Sequence, residues 1–225
     1  MVWMDYDEHA RTRPRDDVWG QVRRTVRGQP VPAEQIGMIV AATIEHLQLG
    51  PDDVLLDIAC GNGALSSCLQ PHCGASQGID ISEYLIGVAQ ERFATGCHAF
   101  MAADAAAFAE HAPGAGRFTK ALCYGSFSYL DNDAAARLLR ALHRRFCNVD
   151  RILLGNLPDP ARAAAFYPAG TTPDLREPRS DIGVWRTLTE IAHLAGPGWR
   201  VTRSTMPATF FAAHYRYDAL LVRAS

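Results

Sequence analysis

No stretch of the 225-residue sequence approaches the roughly 18 consecutive apolar residues of a membrane-crossing helix, so a helical span is not expected. The six cysteines include no Cys-x-x-Cys pair, and none has a histidine at ligand spacing, so no zinc site or disulfide framework is indicated. Charge of one sign is missing as well. With 22 basic and 24 acidic residues the net charge is -2, and no global field draws nucleic acid or an anionic membrane. Lysine is nearly absent: Lys120 alone accompanies the arginines, and alanine is abundant, a usage associated with GC-rich bacterial genes. Met1 to Arg15 is too polar for an export signal, so the cysteines are expected as reduced thiols in a bacterial cytoplasm.

What is present suffices for one core: 48% hydrophobic and 20% charged residues are globular values. Residues 1–30 are rich in arginine (Arg11, Arg13, Arg15, Arg23, Arg24, Arg27) and read as a mixed-charge arm or as a lid whose arginines meet an anion. Pro32 opens a helix carrying Ile36, Ile39, Val40, Thr43, Ile44 and Leu47 at helical spacing, and Gly50-Pro51 stops it. Beyond it, short apolar runs alternate with helical stretches. Strands are expected at 54–58, 76–81, 99–103, 120–124 and 151–155, and helices at 63–69, 82–94, 105–110 and 133–146. An irregular excursion over 168–183 precedes a helix at 185–194, and strands at 201–206 and 215–222 close the chain. Such alternation requires right-handed crossovers and a parallel, doubly wound sheet, with the last strand turned back by a hairpin.

Chemistry concentrates where the first strand, Val54-Leu55-Leu56-Asp57-Ile58, runs into Ala59-Cys60-Gly61-Asn62-Gly63. Glycines there permit unusual backbone angles and close ligand approach, and the N–H groups opening the following helix favour a polar ligand. Asp80 ends the second strand and Asp104 follows the third, both at the edge where open sheets bind ligands. Ser66 stands where a dinucleotide fingerprint has its third glycine, which disfavours an NAD-dependent oxidoreductase, the main rival reading.

This ordered set resembles the class I S-adenosylmethionine-dependent methyltransferases, most closely over residues 50–157. The resemblance implies a Rossmann-like α/β fold with seven strands in the order 3-2-1-4-5-7-6, strand 7 antiparallel. Residues 1–49 would form an N-terminal helical arm and lid, and 50–225 a single methyltransferase domain. It implies S-adenosylmethionine as cofactor and S-adenosylhomocysteine as product. By the same resemblance Asp57, Ala59, Cys60, Gly61, Asn62 and Gly63 hold the methionine part, with Ala59 replacing the usual first glycine. Asp80 takes the ribose, Ile81 lies against the adenine, Asp104 and Ala105 meet the adenine edge, and Tyr124 passes under the methyl group. Tyr6-Asp7 and His214-Tyr215-Arg216 also resemble segments of small-molecule methyltransferases of polysaccharide and secondary-metabolite pathways.

Strands 4 and 5 end at the cofactor side, placing Tyr124 and Asn156 there, and the connection between strands 6 and 7 is expected at the same edge. Phe210, Phe211, His214 and Tyr215 are therefore expected at an acceptor pocket, with His214 as general base or acceptor contact and Tyr6, His9 and Trp19 closing it from the lid. No metal is expected, since Asp131-Asn132-Asp133 reads as a helix cap. The expected function is methyl transfer to an oxygen or nitrogen of a small polar acceptor such as a sugar or natural product. A non-catalytic S-adenosylmethionine-binding protein is the further alternative. Nucleic acid and membrane are not expected as partners, and a second copy of the chain is a candidate one.

Overall fold

The computed structural model describes residues 6–26, 29–171 and 173–224. Among the described residues eight α-helices are assigned: α1 (Tyr6–Arg11), α2 (Val18–Gln21), α3 (Ala33–Leu47), α4 (Ala64–Leu69), α5 (Glu83–Phe93), α6 (Ala105–His111), α7 (Asn132–Arg145) and α8 (Leu188–Ala195). The main sheet holds β1 (Val54–Ile58), β2 (Ala75–Asp80), β3 (His98–Ala102), β4 (Lys120–Tyr124), β5 (Arg151–Pro158), β6 (Trp199–Ser204) and β7 (Arg216–Arg223). A two-residue hairpin, Thr25–Val26 with Gln29–Pro30, stands apart from it. Across the seven-stranded sheet the order is β3-β2-β1-β4-β5-β7-β6. Strands β3 to β5 in that order pair in parallel, and β7 runs antiparallel to both β5 and β6. This is the expected Rossmann-like arrangement.

The sheet forms because its central strands are apolar on both sides. Every residue of β4 is buried, as suits a parallel strand covered on two faces. Successive residues then serve opposite cores. Leu56 and Ile58 of β1, Cys123 of β4 and Ile152 of β5 pack with Phe118, Leu138, Leu142, Phe146 and Ile191. Leu55, Leu122 and Leu153 pack with Ile36, Ile39 and Leu47 of α3 and Leu65 and Leu69 of α4. Helix α3 thus belongs to the sheet's packing. A boundary at residue 49 would cut through a continuous core, and the segment lying over the sheet edge is 6–26.

Helix ends follow local chemistry. Asp131 accepts the Ala134 N–H at 2.8 Å and caps α7, the capping role the sequence indicates for it. Thr187 and Glu190 form a capping box, so α8 begins at Leu188, later than expected. The preceding Trp185 is fully buried, and Arg186 donates to the carbonyl of Leu130 at 2.6 Å. Among the described residues of 168–183 there is neither helix nor strand.

The register of β5 against β7 shifts between Leu154 and Leu157. Asn156 in this bulge has a left-handed φ of 60°, and its N–H donates to Asp218 at 2.6 Å. The irregularity therefore falls at the strand's ligand-facing end.

Candidate active site

A cavity of about 790 Å³ opens at the C-terminal ends of β1, β2 and β4 and is covered by residues from 6–26. Its floor is the turn after β1. Ala59, Gly61 and Gly63 take φ values of 56°, 59° and 75°, all in the left-handed region. Only glycine enters that region without strain, so Ala59 carries a cost its neighbours avoid. At Gly61 a Cβ would stand 2.8 Å from Cγ1 of Val22, so the cover packs directly onto the turn.

Asp57 is buried below the turn and accepts the Ser66 hydroxyl at 2.5 Å. Burial raises its pKa to about 7 and the charge of Asp80 adds to this, while the Ser66 bond and Arg24 oppose it. Ser66, the residue that breaks the dinucleotide pattern, is thus employed within the site. Asp80 accepts the N–H of Gly61 at 2.8 Å and of Ser82 at 2.9 Å, one on each carboxylate oxygen. Burial pushes its pKa up, opposed by these backbone bonds. Each oxygen keeps acceptor capacity beyond one N–H, as two ribose hydroxyls would require. Beside it Ile81 is 75% exposed, an apolar surface left open in the cavity wall. Asp104, at the far end, accepts the Ala107 N–H at 2.8 Å, and Ala105 lines the wall next to it.

Asp57, Ala59, Cys60, Gly61, Asn62, Asp80, Ile81, Asp104, Ala105 and Tyr124 all border this one cavity. Gly63 does not. It starts α4, and a Cβ there would meet Phe100 at 2.9 Å. Asn62 is present in a role the sequence did not suggest. Its amide donates to the carbonyl of Val18 at 2.7 Å and to Gln21 at 2.9 Å, holding α2 to the turn. Cys60 is an inert thiol, pushed up by burial and by the charges of Asp57 and Asp80.

The cover is fastened at its other end by Asp7, which accepts the Ser82 hydroxyl at 2.5 Å and the Tyr84 N–H at 3.3 Å. Arg15 pairs with Glu91 on α5. Tyr6 and Trp19 line the cavity as expected. His9 instead bonds the Gly20 carbonyl within the cover, at 3.0 Å. Tyr6 donates to Tyr129 at 3.1 Å, and Tyr129 donates to the carbonyl of Asp181 at 2.9 Å. Tyr129 was not anticipated, though its place just after β4 is a signal available in the sequence.

The expected acceptor residues from the far edge are not brought into the cavity wall. The β6–β7 connection does lie at the ligand side, since Arg216 pairs with Pro158 at the end of β5. Its apolar residues Met206, Phe210 and Ala212 are buried against α3. Gln35 fixes the loop there, accepting the Phe211 N–H at 2.9 Å and donating to the Thr209 carbonyl at 3.2 Å. His214 is left exposed, edge-on to Tyr215 at 4.8 Å, and Tyr215 stacks on Phe166 at 5.0 Å. Phe211, His214 and Tyr215 are absent from the cavity lining, which corrects the placement of the base. Asn156 stands behind the wall, its Nδ2 3.6 Å from the position a Cβ on Gly125 would take.

Residues 55–146 match the family model of a methyltransferase domain. No curated protein matches the sequence. Solved structures of similar fold include magnesium protoporphyrin IX methyltransferase from Synechocystis PCC 6803 with bound S-adenosylmethionine, at 19% identity and a TM-score of 0.60 over 100% of both chains. A S-adenosylmethionine-dependent methyltransferase from Clostridium acetobutylicum ATCC 824 is similar at 13% identity and 0.63, over 90% of this chain and 96% of that one. Geranyl diphosphate C-methyltransferase from Streptomyces coelicolor A3(2) is similar at 14% and 0.61, over 84% and 77%.

Proposed function

Starting from a chain that is a class I S-adenosylmethionine-dependent methyltransferase, we propose that it methylates an oxygen or nitrogen of a small polar acceptor such as a sugar or natural product. The observation that carries this reading is the covered cavity itself. Asp80 and Ile81 offer a ribose contact and an apolar face on one side, and aromatic and polar groups from the cover and β4 line the other. S-adenosylmethionine, when bound, would supply an electrophilic methyl group to a lone pair of the acceptor.

The chain's own work is then alignment and exclusion of water. Asp80 and the turn fix one reactant, and Tyr6, Trp19 and Tyr129 close the space beside Tyr124. Burial holds the phenols of Tyr124 and Tyr129 well above their usual range, so both stay protonated, and the Tyr129 proton is held by the Asp181 carbonyl. A cavity of about 790 Å³ and a near-neutral charge favour a small molecule over nucleic acid. Among the described residues no helix is long and apolar enough to cross a membrane.

The test is transfer of labelled methyl from S-adenosylmethionine to a panel of sugars, amines and phenols, alongside calorimetry of cofactor binding. Label on an oxygen or nitrogen acceptor is expected. Label appearing only on carbon would refute the acceptor class. Tight cofactor binding with no transfer to any member would favour a binding protein.

A further inference from the structure

Arg24 leaves α2 with its backbone pinned on both sides: its N–H donates to the Trp19 carbonyl at 2.8 Å and its carbonyl accepts from Val31 at 3.0 Å. The guanidinium lies 4.9 Å over the Tyr124 ring, in the cavity wall. Its Nη2 stands 3.5 Å from the point where a Cβ on Gly125 would be, and Nδ2 of Asn156 stands 3.6 Å from the same point. Two N–H donors from distant parts of the chain thus face one space that a glycine leaves open.

Among the described residues the Arg24 side chain has no hydrogen-bond or ion-pair partner. Arg216 directs Nη1 to the Asn156 carbonyl at 2.6 Å, and its Nε is buried without a partner. The two guanidiniums are close enough to repel, and burial pulls Arg24 below its usual range. The carboxylate acting on Arg24 is that of Asp57, which burial holds partly protonated near neutrality. A half-buried guanidinium in a cavity wall, with a second one near it, is costly until an anion joins it.

We propose that Arg24 in the cavity wall, with Asn156 and Arg216 just behind it at Gly125, forms a carboxylate subsite, and that the methyl acceptor carries the carboxylate it holds. This rests on the methyltransferase reading above and narrows it. A planar carboxylate suits a guanidinium fork aided by an amide N–H. The body of the acceptor then lies against Tyr6, Trp19 and Tyr129.

The probes are benzoate and its uncharged counterpart benzamide, titrated into the S-adenosylhomocysteine complex. Benzoate is expected to bind and benzamide not. Arg24→Gln and Arg216→Gln should each weaken benzoate by about tenfold or more, as loss of a charged hydrogen bond implies. Arg216→Lys, which keeps the charge should the glutamine variant fold poorly, should recover part of the loss. Equal binding of benzoate and benzamide, or benzoate binding that survives the folded arginine variants, overturns the subsite. A second arm compares S-adenosylhomocysteine with 5′-methylthioadenosine, which lacks the amino-acid part. If Arg24→Gln weakens the first and spares the second, the guanidinium holds the cofactor's own carboxylate and the acceptor assignment falls. Failure of the unaltered protein to bind S-adenosylhomocysteine would instead sink the reading beneath it.

Discussion

Asn62 and Gln21, 41 residues apart and both buried, are joined by a hydrogen bond of 2.9 Å. Through it the turn that lines the cavity floor and the segment that covers it are one assembly. Asn62→Ala removes that bond and the 2.7 Å bond to Val18, each worth roughly 1 kcal/mol net. Amide hydrogen exchange in residues 17–24 should quicken and S-adenosylhomocysteine should bind about tenfold more weakly. Unaltered protection across 17–24 would show that α2 is held by packing alone.

Asp80→Ala should weaken S-adenosylhomocysteine by about 10- to 150-fold, the range for losing a charged hydrogen bond. It also strips the acceptor from Gly61 and Ser82. Asp80→Asn keeps one oxygen and should fall between the two. Calorimetry on the folded variants decides, and an Asp80→Ala protein with native affinity would dismiss the ribose assignment.

Ala59 at φ 56° predicts a gain from Ala59→Gly. Relief of a left-handed alanine is worth roughly 1–2 kcal/mol, and the added freedom of glycine when unfolded takes back roughly 0.5–1 kcal/mol. The urea midpoint should therefore rise slightly. A clear fall would mean that the Ala59 methyl packs more favourably than its backbone is strained.

Asp57 links stability to pH. Its pKa is raised from 3.8 unfolded to about 7 folded. Below pH 3.8 the group is protonated in both states and imposes no penalty. Between these values the unfolded chain has lost a proton that the folded chain retains, so rising pH favours unfolding. Above about 7 the loss is complete. Stability from this group should therefore decline from pH 4 to pH 7, and Asp57→Asn should flatten the decline in denaturant titrations. Parallel pH profiles for the two proteins would contradict it.

Exposed outside the cavity, His214 is expected to matter little. His214→Ala should change turnover by less than about twofold, the scale of surface substitutions. A drop of roughly 10²–10⁴ would instead make it the general base and require the 205–215 loop to swing over the cavity during turnover.

The sheet and the side of the cavity formed by the β1 turn, Asp80 and Asp104 were legible in the sequence because their signals are local. Apolar runs, a glycine turn and the acids at strand ends sit within a few residues of one another, and the fold only has to bring strand ends together. The acceptor half depends on long-range choices. Met206, Phe210 and Ala212 look equally suited to a ligand pocket or to the α3 face, and Gln35, far away in sequence, settles it. Asn62 reads as part of a ligand turn, yet its side chain faces the cover, because Val18 and Gln21 supply acceptors that only the folded cover places there.

Strand β4, buried along its whole length between β1 and β5, has a practical corollary. The stretch identifiable as a methyltransferase domain, 55–146, ends before β5 and begins after α3. Excised, it would turn β4 into a bare apolar edge, with Leu122 and Tyr124 stripped of α3 and Cys123 of its neighbours across β5. Such a fragment should aggregate rather than fold. The unit recognisable by its pattern is smaller than the unit able to fold alone, and any minimal version must keep 33–47 and 151–223.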